Sequence, residues 1–366
     1  MPDPRPVARW IGWTPLRVWG LTPPQRLKRS LARAGLRDVA AWPGDPPAGD
    51  VLLFLGDVVY DHDLVMALTR SPATLLLVED RPVAAHVPAT LAEAAARALQ
   101  GDAPPEGLAL VQPADLVASH RAKLRKREPP VVLEVTARNV RAVEDRLFGA
   151  SYKGVTDAIT KYLWPAPARL VTRWCAAARI PPNAVTLVGL VLTVLAFLLF
   201  RDGWLWAGLA AAWAMTFLDT VDGKLARVTL TSSKAGDVLD HGLDLVHPPF
   251  WWWAWWQGAG GGDWDALVVV VAGYAFLRLQ EGLFMKAFGF ELHVWQRFDS
   301  LFRLVTARRN PILAILTIGL ALGAPQGAMV AVAAWTFLSL AVHAARILMA
   351  ARVREEGGQV VSWLDR

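Results

Sequence analysis

Residues 217–244 read FLDTVDGKLARVTLTSSKAGDVLDHGLD, and the chain is strongly apolar on both sides of them. Asp219 and Asp222 lie three residues apart, with Gly223, Ala226 and Arg227 continuing the same face at helical spacing. Asp240 and Asp244 lie four apart, again on one face. The intervening VTLTSSKA is short enough to turn the second helix back on the first, so the two acidic stripes are expected to meet. Near the centre of a bilayer each carboxylate would cost about 2.5–3.5 kcal/mol. Four that face one another cannot all stay ionised without a counter-charge. Hard oxygen ligands converging from two helices suit Mg²⁺ or Mn²⁺, and four of them can hold two ions. Such a pair neutralises a diphosphate, while Gly223 and Ala226 leave room for a nucleotide along the helix. A lone DxxD would read as solvated charge at a helix end, but the whole constellation argues for a site.

The composition agrees with a membrane setting. Of 366 residues, 54% are hydrophobic, more than a soluble chain usually carries. Indole favours the boundary between hydrocarbon and water, so Trp251, Trp252, Trp253, Trp255 and Trp256 are expected to form an interfacial belt. The single cysteine, Cys175, excludes an internal disulfide and reads as packing on the reducing side of a membrane. The net charge of +6 could suggest nucleic acid, but the basic residues lie at the ends of apolar runs, where anionic lipid headgroups are the expected partner. The first residues, MPDPRPVARWIGW, lack the apolar core of a signal peptide, which predicts a cytoplasmic amino terminus.

Residues 1–150 have the texture of a small soluble α/β domain. VLLFLGD, ATLLLVED, PVAAHV and GLALV alternate with helical stretches and predict a mostly parallel sheet. From 151 to 182 the chain mixes Lys153, Lys161, Arg169, Arg173 and Arg179 with Tyr152, Leu163, Trp164, Val171 and Trp174, as a helix lying in the headgroup plane requires. Six apolar spans follow within 183–354, near Asn183–Phe200, Trp204–Arg227, Asp237–Gln257, Ala266–Lys286, Pro311–Gly323 and Ala328–Arg352. The fifth is short and is expected to start as early as Val305. Residues 355–366 form a tail. The expected fold is therefore an α-helical integral membrane protein with six transmembrane helices, preceded by a small α/β soluble domain.

Orientation follows from the cations. With a cytoplasmic amino terminus, the outer connections hold only Arg201, whereas the inner ones hold Lys224, Arg227, Lys234, Lys286, Arg297, Arg303, Arg308, Arg309, Arg352 and Arg354. Both termini, the acidic motif and the Arg-rich loop are thus expected on the cytoplasmic side of an inner (plasma) membrane.

DTVDGKLAR followed by GDVLDHGLD resembles the signature of the CDP-alcohol phosphotransferase (CDP-alcohol phosphatidyltransferase) family. Asp219, Asp222, Gly223, Ala226, Arg227, Gly236, Asp240 and Asp244 match every fixed position, and PPNAVT before the first span also resembles the family. The resemblance implies transfer of a phosphoalcohol unit from a CDP-alcohol to an acceptor hydroxyl, with release of CMP. It implies Asp219, Asp222 and Asp240 as metal ligands, with Asp244 completing the second metal site or serving as general base. Gly223, Ala226, Arg227 and Gly236 would belong to the CDP-binding part. His241 is a rival base, because a neutral imidazole is the usual proton acceptor near pH 7. His247, one turn beyond Asp244, reads as a packed or supporting histidine. A homodimer is implied as well.

DGK, TSS and DHG around the fixed positions look particularly like the choline and ethanolamine phosphotransferase branch. LLFLGDVVYDHDLVMAL and ARRNP resemble phosphotransferases fused to a nucleotidyltransferase domain that makes CDP-inositol. Both favour a CDP-linked polar alcohol as donor over CDP-diacylglycerol. The start of the soluble domain, WIGWTPLRVWGLTPPQRLKRSLARAG, lacks the Gly-rich loop that wraps a triphosphate, so that domain reads as degenerate, and Asp57 reads as a turn former. Arg297, Arg303, Arg308 and Arg309 cluster in sequence before the fifth span, where guanidinium groups suit an acceptor phosphate or a lipid headgroup. Arg278 and Glu281, three apart inside the fourth span, are expected to pair. A catalytically silent CDP-binding scaffold is the competing reading.

Overall fold

The computed structural model describes residues 6–43, 49–232 and 234–366, and of the helix starting at residue 234 it leaves out the side chains of 234, 235, 237–241 and 243. The chain divides into two compact units, residues 1–122, 127–152 and 226–231 in the first, residues 123–126, 153–225 and 232–366 in the second.

In the first unit, strands β1 (Val7–Ile11), β2 (Val39–Ala41), β3 (Val51–Leu55), β4 (Val58–Tyr60), β5 (Thr74–Val78), β6 (Arg81–Val87) and β7 (Ala109–Val111) alternate with helices α1 (Pro23–Arg33), α2 (His62–Leu68), α3 (Ala92–Leu99), α4 (Pro113–Leu116) and α5 (Val140–Ala150). Six of the strands form one sheet in the order β2-β1-β3-β6-β5-β7, while β4 pairs separately with residues Val132–Glu134. Every residue of β3 is buried, the mark of a central strand covered on both faces. The sheet is mostly parallel, as expected, with one reversed strand: β6 runs antiparallel to both β3 and β5. Only Glu79 and Asp80 separate β5 from β6, too few residues for the crossover that parallel neighbours need. Thr22 starts α1 with a reciprocal cap, its hydroxyl accepting from Gln25 N while Gln25 Oε1 accepts from Thr22 N (3.0 Å), and Pro23 and Pro24 follow where no N–H is missed.

The second unit is helical. A π-helical turn, Ile159–Leu163, leads into α6 (Pro165–Ala177), which buries Ala168, Thr172, Cys175 and Ala176 and exposes Leu170 and Trp174. Six apolar helices follow: α7 (Pro182–Arg201), α8 (Leu205–Val228), α9 (Lys234–Gly258), α10 (Trp264–Phe288), then, after the short α11 (Arg297–Phe302), α12 (Arg309–Ala321) and α13 (Pro325–Glu355). Among the described residues α7, α10 and α13 are long and apolar enough to cross a bilayer, and α12 is apolar but only 13 residues long. Each long helix buries one stripe. On α7 it runs Val185, Gly189, Thr193, Ala196 and Phe200, while Leu187, Val188, Val191, Val194 and Leu195 stay exposed on the other side. Polar-in-water logic cannot explain that outer face, but contact with lipid does. The fifth apolar helix starts at Arg309, later than Val305. Its approach is held off the helical path because Trp335 Nε1 donates to Val305 O (2.6 Å) and Ala307 N donates to Ser339 Oγ (3.1 Å).

α10 packs along α13, α7 against α9, and α12 against α13. At Gly273 a Cβ would lie 2.5 Å from Thr336 Cγ2, so this glycine sets how closely α10 and α13 approach. The expected tryptophan belt is not what forms. Trp251, Trp252 and Trp255 are wholly buried, Trp251 and Trp255 against Phe200, and Trp251 Nε1 donates to Thr193 O (2.9 Å) while Trp255 Nε1 donates to Pro325 O (3.1 Å). Indoles whose N–H finds a carbonyl inside the bundle lose the reason to sit at the interface. Trp253, 37% exposed, keeps an outward position.

Candidate active site

The acidic motif places Asp219 and Asp222 toward the C-terminal end of α8, and Asp244 on α9. The side chains of Asp240 and His241 lie outside the described residues, so their part in the site stays an expectation. Asp219, Asp222 and Asp244 line one small recess with Thr186, Gly189, Leu190 and Met215. Thr186, in the first turn and a half of α7, donates from Oγ1 to Asp222 Oδ2 (2.6 Å). Asp222 is 5% exposed, and its other oxygen is buried without a hydrogen-bond partner among the described residues. Arg309 at the start of α12 closes the other side, with Nη2 on Asp219 Oδ2 and Nη1 on Asp244 Oδ1, both at 2.5 Å. Arg309 thus bridges two of the three carboxylates that line the recess, Asp219 and Asp244, while the third, Asp222, bonds Thr186. The surplus negative charge and the orphaned Asp222 oxygen are what a divalent cation would satisfy, so this donor set fits the ions expected from the sequence.

Arg309 is in turn placed by its neighbour. Asn310 Nδ2 donates to Asp157 Oδ1 (3.0 Å) and Thr160 Oγ1 (3.1 Å), tying the first turn of α12 to the segment ahead of α6. Thr160 N also donates to Asp157 Oδ1 (2.9 Å). Burial pushes the Asp157 carboxyl up, but the Arg303 charge and the bonds from Thr160 and Asn310 outweigh it and hold the group below the usual range.

The four arginines that cluster in sequence do not form one patch. Arg297 is exposed over the Trp363 ring, 5.6 Å from its centroid. Arg303 is buried beside the charge of Asp157, with Nε and Nη1 lacking hydrogen-bond partners among the described residues. Arg308 pairs with Glu281, and Arg309 sits among the acids. The expected Arg278–Glu281 pair forms (3.3 Å) but is one part of a larger cluster with Arg308 and His293. His247 is buried, its ring 4.5 Å from that of Trp251, in keeping with a packed histidine. Ala226 and Arg227 end α8 and group with the first unit, while Gly223 and Gly236 are part-buried in the second.

Thr186 and Asn310 were visible in the sequence only as members of PPNAVT and ARRNP, and Asp157 and Tyr274 gave no signal there. Tyr274 on α10 donates from its hydroxyl toward the carbonyl oxygens of Asp244 and Leu245, 3.1 Å from each. Those carbonyls are free because the residues four positions on, Pro248 and Pro249, have no N–H to offer.

The recess of carboxylates thus lies among helices that carry exposed apolar faces. Residues 179–353 match the CDP-alcohol phosphatidyltransferase family, and this part of the chain belongs to it. The chain is also similar to Cholinephosphotransferase 1 of Xenopus laevis, with 29% identity over 123 residues, which cover 31% of this chain and 29% of that protein. The chain therefore spans under a third of the length of the curated relative it matches.

Proposed function

We propose that this protein is a membrane CDP-alcohol phosphotransferase that moves a phosphoalcohol group from a CDP-alcohol to an acceptor hydroxyl and releases CMP, in phospholipid or other polar lipid synthesis. The observation that carries the reading is the convergence of Asp219, Asp222 and Asp244 in one recess, with a buried Asp222 oxygen left unpartnered. When bound, one or two Mg²⁺ or Mn²⁺ ions would neutralise the diphosphate and polarise its phosphorus. Asp219, Asp222, Asp244 and Asp240 would hold them.

The chain's own residues then have definite tasks. Thr186 orients Asp222 so that one oxygen faces the recess. Arg309 holds Oδ1 of Asp244, and among the described residues no hydrogen bond engages the second oxygen of that carboxylate, which would accept the acceptor's proton. His241 is the alternative base. As the acceptor oxygen bonds to the phosphorus that carries the alcohol, the bond from that phosphorus to the bridging oxygen breaks, and CMP departs with that oxygen. Gly223, Ala226, Arg227 and Gly236 would receive the CDP moiety. Of the four arginines, Arg303 keeps unspent buried donors and is the strongest candidate for an acceptor phosphate.

The DGK, TSS and DHG tripeptides and the similarity to a cholinephosphotransferase favour a small polar alcohol on the donor. Six spans, a cytoplasmic site at the inner membrane and a homodimer complete the proposal. Purified protein, given Mg²⁺ or Mn²⁺ with a panel of CDP-alcohols and lipid or polar acceptors, should release CMP, and Asp222→Asn should not. A folded wild type that binds CDP but turns over no donor, CDP-diacylglycerol included, would leave the scaffold reading instead.

A further inference from the structure

Glu281 on α10, His293 on the one-turn 3₁₀ helix Leu292–Val294 and His343 on α13 bring three ligand-type atoms within 4.8 Å of one another. The two imidazoles stand ring to ring at 5.2 Å between centroids, and His293 Nε2 lies 3.1 Å from Glu281 Oε1. His343 is 2% exposed, yet neither of its ring nitrogens has a hydrogen-bond partner among the described residues. A buried imidazole with both nitrogens unspent is rare in a satisfied interior, and here it faces a carboxylate and a second imidazole. We propose that Glu281, His293 and His343 form a second metal site, separate from the aspartate recess, that takes a transition ion of the zinc class.

The ligand chemistry separates the two sites. Oxygen-only donors such as the aspartates suit Mg²⁺ and its like, whereas two imidazole nitrogens and one carboxylate are the set that zinc and its first-row neighbours take. The surrounding shell is already built. Arg308 and Arg278 (3.3 Å) hold Glu281 by Oε2, fixing the carboxylate and leaving Oε1 turned to the histidines. The charge of Arg303, which would oppose a dication, is faced by Asp157. Ser300 Oγ donates to His293 O (2.7 Å) and Ser362 Oγ to Val294 O (2.8 Å), so the 3₁₀ turn is held at its histidine and at the residue that follows. An ion here would staple α10, the 3₁₀ turn and α13 together beside Arg308, the residue that leads into Arg309.

The full chain, purified in detergent and stripped with chelator, is titrated with Co²⁺ as an optical stand-in for Zn²⁺. The expected result is one equivalent bound, with the visible absorption of a nitrogen-containing, four-coordinate site that Zn²⁺ abolishes. That signal should survive in the Asp219→Asn/Asp222→Asn variant and vanish in His343→Ala, and His343→Gln serves as a second variant of near-native size, with folding checked by gel filtration. No Co²⁺ absorption in folded wild type overturns the proposal. So does a signal that persists in both His343 variants or is lost with the aspartates.

Discussion

The Tyr274 hydroxyl meets the carbonyl oxygen of Asp244 at 3.1 Å, across the boundary between α10 and α9. It stands at the point where two consecutive prolines, Pro248 and Pro249, remove the N–H groups that would have bonded Asp244 O and Leu245 O. The backbone of a motif aspartate is thus steadied by a side chain from a neighbouring helix. Tyr274→Phe leaves those carbonyls unmatched at a cost of about 1 kcal/mol. Turnover should fall by up to about tenfold, with little change in the apparent KM for the donor. An unchanged kcat would remove Tyr274 from the list of positioning residues.

Thr186 acts on Asp222 through one hydrogen bond to a carboxylate, a type worth about 1.5–3 kcal/mol. Thr186→Val should therefore raise the divalent-ion concentration needed for half-maximal CMP release, and Thr186→Ser, which restores the hydroxyl, should recover most of the loss. Titration of activity with Mn²⁺ for the three proteins is the check, and equal midpoints would count against the role.

Arg309 bridges Asp219 and Asp244, so removing it leaves two carboxylates without their cation. Breaking a buried pair from one side costs about 3–5 kcal/mol when both partners are fully buried. Here the Asp244 side chain is 44% exposed, so water screens part of that and the loss should be smaller. Arg309→Ala should unfold at lower temperature than wild type in chelator, and added Mn²⁺ should stabilise it more than it stabilises wild type, since an ion that binds only the folded state shifts the balance by mass action. Parallel melting curves with and without Mn²⁺ decide the matter. A variant as stable as wild type in chelator would mean the bridge contributes nothing.

Asp157 carries a pH signature. Its carboxyl is held below the usual range in the folded chain, so the stabilisation is fully present above the unfolded value, near 3.8, and is lost as the pH falls through the folded value. Asp157→Asn should be less stable at neutral pH and should show a shallower loss of stability between about pH 5 and pH 2. Thermal unfolding across that range tests the sign; a steeper acid limb in the variant would contradict it.

The acidic motif was legible because its geometry is local. Residues three and four apart share a helix face whatever surrounds them, so Asp219 with Asp222 needed no tertiary information. The apolar runs were legible for a similar reason, since length and composition alone mark α7, α10 and α13 as able to cross a bilayer. The tryptophans were misread because indole suits either a membrane boundary or a bundle interior, and only the carbonyls of Thr193 and Pro325 decide between them. The direction of β6 was missed because apolar runs do not encode strand polarity, whereas the two-residue link from β5 does.

By itself the sequence determined the helical periodicity of the acids, the apolar helices and the family to which residues 179–353 belong. These depend on neighbours in the chain or on a pattern of spacing. Tertiary structure alone decided that Arg309, 65 residues from Asp244, is drawn to the acids instead of joining Arg303 and Arg308, and that Glu281, His293 and His343 meet. Charges that adjoin in sequence repel and find separate partners, and which partner each finds depends on how the helices pack.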